Sequence, residues 1–137
     1  MPSDAHRLLV FLGGLAGAAG VGLSAAAAHA GGANLGTAAS FLLVHAPALL
    51  AIGWLGGRVA AFGGYGLAGG LLLFCGDLVL RDLAGHRLFP FAAPAGGTLL
   101  IAAWLTLAGS AFAGPPRRDP AGQDPARRDF AGPGPAG

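Results

Sequence analysis

The sequence contains no lysine and no glutamate, and its charged residues amount to only 10% of 137 positions. Soluble domains carry roughly 25% charged residues. The chain is also 54% hydrophobic, with a mean hydropathy of +0.65. This composition argues against an ordinary soluble domain, because too few charged side chains are present to cover its surface. It predicts a membrane protein.

The sequence motifs of the common enzyme classes are missing as well. The chain has no HExxH zinc motif, no phosphate-binding loop with a lysine, and no GxSxG turn around a nucleophilic serine. Cys75 is the single cysteine, so an internal disulfide is excluded. We therefore predict a non-catalytic protein with no cofactor and no metal site.

A net charge of +2 and a pI near 9.5 raise the question of a nucleic-acid partner. Four of the eight arginines lie in the last 21 residues, and no aromatic residues alternate with them. A surface that binds nucleic acid would combine basic residues with aromatic platforms for the bases. The sequence therefore predicts no nucleic-acid partner.

Four apolar runs are each long enough to cross a hydrocarbon core of ~30 Å as a helix. After the last run the chain is rich in proline, glycine, arginine and aspartate, a composition that cannot bury enough apolar surface to fold. The sequence predicts an all-α protein, an integral membrane four-helix bundle over residues 1–113 with a disordered cytoplasmic tail over 114–137. The predicted spans are about 8–28, 38–55, 59–80 and 95–113.

Two connections in this prediction depend on glycine and proline. Residues 31–37, with the sequence GGANLGT, are expected to form the loop between the first two helices. Pro94 is expected to be the first residue of the fourth helix, where its missing N–H has no consequence. Pro47 lies inside the second span, and it removes the helical partner of the Leu43 carbonyl.

The first span separates small from large residues on a helical wheel. Transmembrane helices associate through close backbone approach at small residues. We therefore predict that this helix contacts two neighbours and that its leucines face lipid. One stripe comprises Gly13, Gly17, Gly20 and Ser24, and the adjoining stripe comprises Gly14, Ala18, Gly22 and Ala26. The third span carries a similar packing face at Gly63, Gly66 and Gly70.

Polar side chains inside the bilayer are the candidates for chemistry, because an aspartate at a helix centre costs ~2.5–3.5 kcal/mol to insert. The candidate polar site, in the outer half of the bundle, comprises His29, His45, Asp77 and Arg81. Arg81 is four residues after Asp77, within reach of an ion pair. Two interpretations remain open: hydrogen bonds that fix the helix register, or a site that carries protons or a solute.

Four spans place both termini on one side of the membrane. Six arginines lie on that side, whereas Arg81 and Arg87 lie on the other. The positive-inside rule then predicts that both termini are cytoplasmic. A second interpretation stays open, in which residues 1–30 are a secretory signal peptide that is cleaved after Ala28-His29-Ala30.

Four segments also carry a family likeness, through their order and spacing. They are GGLAGAAGVGLSAAAAHA at 13–30, HAPALL at 45–50, LLLFCGDL at 71–78 and PAGGTLLIAAW at 94–104. The set resembles the domain-of-unknown-function 423 family, small four-helix membrane proteins with relatives called transmembrane protein 256. The resemblance implies an integral membrane protein and its fold, and it implies no known activity.

These observations predict a multi-pass protein of the bacterial inner membrane. We expect it to act through helix–helix interaction with itself or with a membrane partner. The alternative is a small proton-linked transporter or channel component that uses the outer polar site. In the inner half only Trp54 and Thr106 are polar, which argues against a continuous hydrated path.

Overall fold

The computed structural model describes residues 4–112, and these residues are almost entirely helical. Helix α1 spans Asp4–Ala30, α2 spans Ala33–Leu55, α3 spans Arg58–Leu83 and α4 spans Ala92–Ser110. The described part of the chain contains no strand, so the predicted all-α class and the four helices are confirmed. The predicted disordered tail at 114–137 lies outside the described residues.

All four helices are long and apolar enough to cross a membrane, with mean hydropathies between 1.4 and 1.9 over 18 residues. The protein is therefore a multi-pass membrane protein. In α2 and α3, 39% of that window is buried inside the bundle, against 22% in α1 and α4. The two middle helices thus form the centre of the bundle, and the first and last helices flank it.

Helices that follow one another in the chain are packed side by side, and a smaller contact joins α1 to α3. The short turns explain this order. Gly31–Gly32 and Gly56–Gly57 connect the first three helices, and all four glycines have positive φ values between 73° and 113°. Glycine adopts this conformation without the steric cost that other residues meet. Two residues therefore suffice to reverse the chain.

Two expected helix boundaries differ in the structure. Helix α2 begins at Ala33, so most of the predicted loop at 31–37 is helical. Helix α4 begins at Ala92, and Pro94 is its third residue rather than its first. A proline is still tolerated there, because the first four N–H groups of a helix have no partner within the helix.

The first stripe of α1 packs against α2, as close backbone contacts show. A Cβ added at Gly13 would lie 3.0 Å from Leu50 Cγ, and one added at Gly20 would lie 2.8 Å from Leu43 Cγ. Gly17 approaches Ala46 less closely, at 3.6 Å. Ser24, which the sequence placed in the same stripe, is exposed.

In the second stripe of α1, Gly14, Ala18 and Gly22 are exposed, whereas Ala26 is half-buried. A Cβ added at Gly14 or at Gly22 would meet nothing within 4 Å. The expectation that the leucines of α1 face lipid also needs correction, since Leu9 is completely buried. Leu9 packs against Gly64 of α3, where an added Cβ would lie 2.9 Å from Leu9 Cδ1. The absence of a side chain at position 64 therefore makes room for this leucine.

Glycines of α3 bring α4 close. A Cβ added at Gly63 would lie 2.8 Å from Leu107, and one added at Gly70 would lie 2.8 Å from Leu100. At Gly66 the nearest atom is Ala103 Cβ, at 2.9 Å. Close backbone approach at small residues is the usual packing of membrane helices, and here it holds the second hairpin together.

Candidate functional site

Asp77 lies near the end of α3 and is completely buried. Its Oδ2 atom forms an ion pair with Nη2 of Arg81, one turn further along the helix. Its Oδ1 atom accepts a hydrogen bond from the backbone N–H of Leu88, at 2.8 Å. Both oxygens are therefore engaged, and the carboxylate attaches the connection between α3 and α4 to the body of α3.

A second carboxylate, Asp82, binds the start of α2. Its Oδ2 atom accepts a hydrogen bond from the Leu35 N–H at 2.9 Å, and its Oδ1 atom accepts one from Asn34 Nδ2 at 2.6 Å. Helix α2 has Gly32 at its N-cap, with no side-chain hydrogen bond from that residue. An N-cap side chain normally satisfies one of the free N–H groups of the first turn. Asp82 performs this task from another helix.

The turn before α2 is shaped to admit this carboxylate. Gly32 has a φ of +113°, and a Cβ added there would lie 2.6 Å from Asp82 Oδ2. Glycine is thus required twice at this position, for its backbone conformation and for the space that the aspartate occupies. The negative charge of Asp82 also lies at the positive end of the α2 dipole, where it is favourable.

His45 connects α2 to α4. Its Nδ1 atom lies 2.8 Å from the Phe41 carbonyl oxygen, and its Nε2 atom lies 3.2 Å from Trp104 Nε1. A carbonyl oxygen only accepts a hydrogen bond and an indole N–H only donates one. The tautomer with the proton on Nδ1 satisfies both contacts, so both ring nitrogens of this buried side chain have partners.

The structure brings together only part of the predicted polar site. Asp77 and Arg81 form their pair, whereas His45 bonds to Phe41 and Trp104. His29 is exposed in the last turn of α1. Among residues 4–112, no hydrogen bond or ion pair joins either histidine to the aspartate, and no group of three or more potential metal ligands is found. The arrangement contains separate structural contacts rather than one shared polar cavity.

Sequence reasoning missed Asp82, although a signal was present. Asp82 lies at the end of α3, and Asn34 lies in the first turn of α2, at the same end of an antiparallel pair. Because residues 31–37 were expected to form a loop, Asn34 was not placed in the first turn of a helix, where a capping contact would be expected. The hydrogen bond from Trp104 to His45 could not be read from the sequence.

Comparison with known proteins gives one family match over the region just described. A family model described as protein of unknown function (DUF423) matches residues 16–97, more than half of the chain. The chain belongs to the DUF423 family. The predicted resemblance is therefore confirmed, and the match covers His45, Asp77 and Asp82, together with the connection between α3 and α4. No solved structure matches this chain.

Proposed function

We propose that this DUF423 protein is non-catalytic and acts by helix–helix association in the membrane, with a second copy of itself or with another membrane protein. We call the side of α1 formed by Gly14, Ala18 and Gly22 the outer face of α1, and its exposure is the observation that supports the proposal. Gly14, Ala18 and Gly22 are exposed there, and no atom lies within 4 Å of a Cβ added at either glycine. A second transmembrane helix could approach this face closely, because small residues permit backbone contact.

The polar residues support a structural role instead of transport. Both oxygens of Asp77 and both oxygens of Asp82 accept hydrogen bonds or an ion pair. Both nitrogens of His45 also have partners. A proton carrier needs an atom that can exchange its proton with a neighbouring carrier or with water. Proton-linked transport through these residues therefore has less support than association.

Localisation in a bacterial inner membrane, with both termini in the cytoplasm, is part of the same proposal. It rests on the six arginines on the side of the termini against Arg81 and Arg87 on the other side. A cysteine placed at the exposed Ala84, between α3 and α4, should react with an impermeant thiol reagent added outside intact cells. Protection of that cysteine until the cells are opened would reverse the orientation.

The association is tested by photo-cross-linking in native membranes. A photoreactive amino acid at Ala18 should give adducts with a second copy or with another membrane protein. The same probe at Ala102, an exposed residue of α4, serves as the control and should give mainly lipid adducts. Lipid adducts alone at position 18 would contradict the proposal.

A loss-of-contact variant makes this test sharper. Replacement of Gly14 and Gly22 by isoleucine should abolish the adducts and leave the fold intact, since neither position has a neighbour that a side chain would displace. Proton flux in liposomes tests the alternative. Flux in the parent protein that disappears in Asp77→Asn would favour a transporter.

A further inference from the structure

A groove of about 640 Å³ runs between α3 and α4, on the side of the bundle where these two helices are connected. Its lining divides into two parts. Arg81 and Arg87 lie at one end, and the rest is largely apolar, with Phe74 and Ile101 on its walls and Gly97 between them. We propose that this groove binds one anionic phospholipid, with the phosphate at the two arginines and one acyl chain along the apolar part.

The charges at the groove favour an anion. Arg81 is paired with Asp77 through Nη2, and Arg87 interacts electrostatically with the same carboxylate. Among the described residues, the groove lining contains two arginines and no carboxylate, since Asp82, at the same end of the bundle, binds the start of α2 instead. The side chain of Arg81 is still 27% exposed although it is paired with Asp77. The exposed part of its guanidinium group can donate to a phosphate oxygen, since guanidinium donors suit the geometry of phosphate.

The surrounding surface places these arginines at the level of lipid headgroups. The connection after α3 exposes Leu88, Phe89 and Phe91, with exposed fractions of 46%, 43% and 74%. Exposed apolar residues at the end of a transmembrane bundle are favourable against the bilayer surface rather than in water. The first turns of α4 also line the groove at Ala93 and Pro94, and a helix N-terminus adds positive potential.

The apolar part of the groove favours a lipid over free inorganic phosphate as the ligand. Ile101 is 64% exposed, two turns into α4, and the groove extends to it from the arginines. An inorganic phosphate would leave this length uncovered, whereas an acyl chain would cover it. A basic pocket between transmembrane helices is a known form of anionic lipid recognition. This groove and the outer face of α1 lie on different helices. A negative result for lipid binding therefore leaves the proposed helix–helix association untouched, and the reverse also holds.

The test uses the full chain in a non-ionic detergent and counts bound lipid by native mass spectrometry. We expect one phosphatidylglycerol to bind at least about fivefold more tightly than phosphatidylcholine, as expected for one additional favourable charge contact. Arg87→Gln should weaken phosphatidylglycerol binding by a similar factor. Arg58→Gln is the matched control, because it removes the same charge at the opposite end of α3, and it should change nothing.

A second pair of variants tests the acyl chain without changing any charge. Gly97→Leu should fill the groove, where an added Cβ already lies 4.0 Å from Phe74, and should weaken the binding of both lipids. Gly109→Leu, at an open position of the same helix, should leave the binding of both lipids unchanged.

Three results would overturn the proposal. The first is equal binding of the two lipids. The second is equal loss in Arg87→Gln and Arg58→Gln. The third is full displacement of the lipid by inorganic phosphate at the same concentration, which would identify a phosphate site instead. If Gly97→Leu binds both lipids as tightly as the parent protein, the acyl chain does not lie in the groove. That result would overturn the proposed position of the acyl chain.

Discussion

The two ends of the bundle are held together by different means. At one end, which we call the aspartate end, Asp77 and Asp82 bind backbone N–H groups of the 84–91 connection and of α2. At the opposite end, which we call the turn end, Gly56–Gly57 joins α2 to α3, and α1 packs on α2 at Gly53. A Cβ added at Gly53 would lie 3.0 Å from the backbone nitrogen of Val10.

The difference follows from the connections that each end must make. At the turn end, close packing at Gly53 holds α1 on α2, and the Tyr65 hydroxyl of α3 donates a hydrogen bond to the Ala5 carbonyl of α1. The connection between α3 and α4 is longer and largely exposed, so its own apolar contacts hold it weakly. The carboxylates of Asp77 and Asp82 supply attachments at that end. Aspartates near the end of a transmembrane helix here order a connection and a helix start.

The largest effect is expected from breaking the Asp77–Arg81 pair. Removal of Arg81 leaves the completely buried Asp77 carboxylate without its ion-pair partner. Arg81→Ala should therefore lower the thermal unfolding midpoint in detergent by about 5–10 °C. Asp77→Asn should lower it less, since an amide oxygen still accepts a hydrogen bond from Leu88. The double variant should recover part of the loss, and strictly additive losses would show that the pair is not coupled.

Loss of the Asp82 cap is expected to have the next largest effect. Asp82→Ala leaves the Leu35 N–H and the Asn34 amide without their acceptor. The midpoint should fall by about 5 °C, as for loss of an N-cap. Asp4→Ala is the control at the turn end, where the aspartate is exposed in the first turn of α1. Similar shifts for the two variants would contradict a special role for Asp82.

A pair of glycine variants compares the two ends directly. Gly32→Ala and Gly57→Ala both place a Cβ on a residue with φ above 100°. Only position 32 also meets a carboxylate, at 2.6 Å, whereas the nearest atom at position 57 lies 3.9 Å away. Each variant should cost about 1–3 kcal/mol of unfolding free energy from backbone strain. The cost should be larger for Gly32→Ala, and equal costs would argue against close approach at Asp82.

The smallest effect is expected at His45, between the two ends. Trp104→Phe removes the donor to Nε2 and keeps an aromatic ring in place. The loss should be about 1 kcal/mol, the usual value for one hydrogen bond. Trp54→Phe is the matched control, since Trp54 is 83% exposed near the turn end. A thermal unfolding midpoint that falls equally in both variants would show that the His45 contact contributes nothing.

The sequence predicted the helices well because their signal is long and simple. Each span carries many apolar residues in a row, and no soluble alternative fits such runs. The ion pair of Asp77 and Arg81 was also predictable, because i,i+4 spacing on a helix fixes their distance. These features depend on residues close together in the chain.

Contacts between residues that are far apart in the chain were harder to predict from the sequence. The bond from Asp82 to Leu35 joins residues that are 47 positions apart, and a backbone N–H carries no sequence signal. The wheel of α1 showed two small stripes, but it could not show that only the stripe with Gly13 and Gly20 meets α2. Which face of a helix finds a neighbour depends on the rest of the bundle.

Asp77 and Asp82 each hold a different segment at the aspartate end of the bundle. Hydrogen exchange at single amides measures these two attachments, in the full chain and in Asp77→Ala and Asp82→Ala. Asp77→Ala should speed exchange at Leu88 and leave Leu35 protected, and Asp82→Ala should do the reverse, because each carboxylate accepts a hydrogen bond from one of these two amides. Ala61, bonded to Gly57 at the turn end, should stay protected in both. Unchanged exchange at Leu88 and Leu35, or equal acceleration at all three amides, would contradict the account.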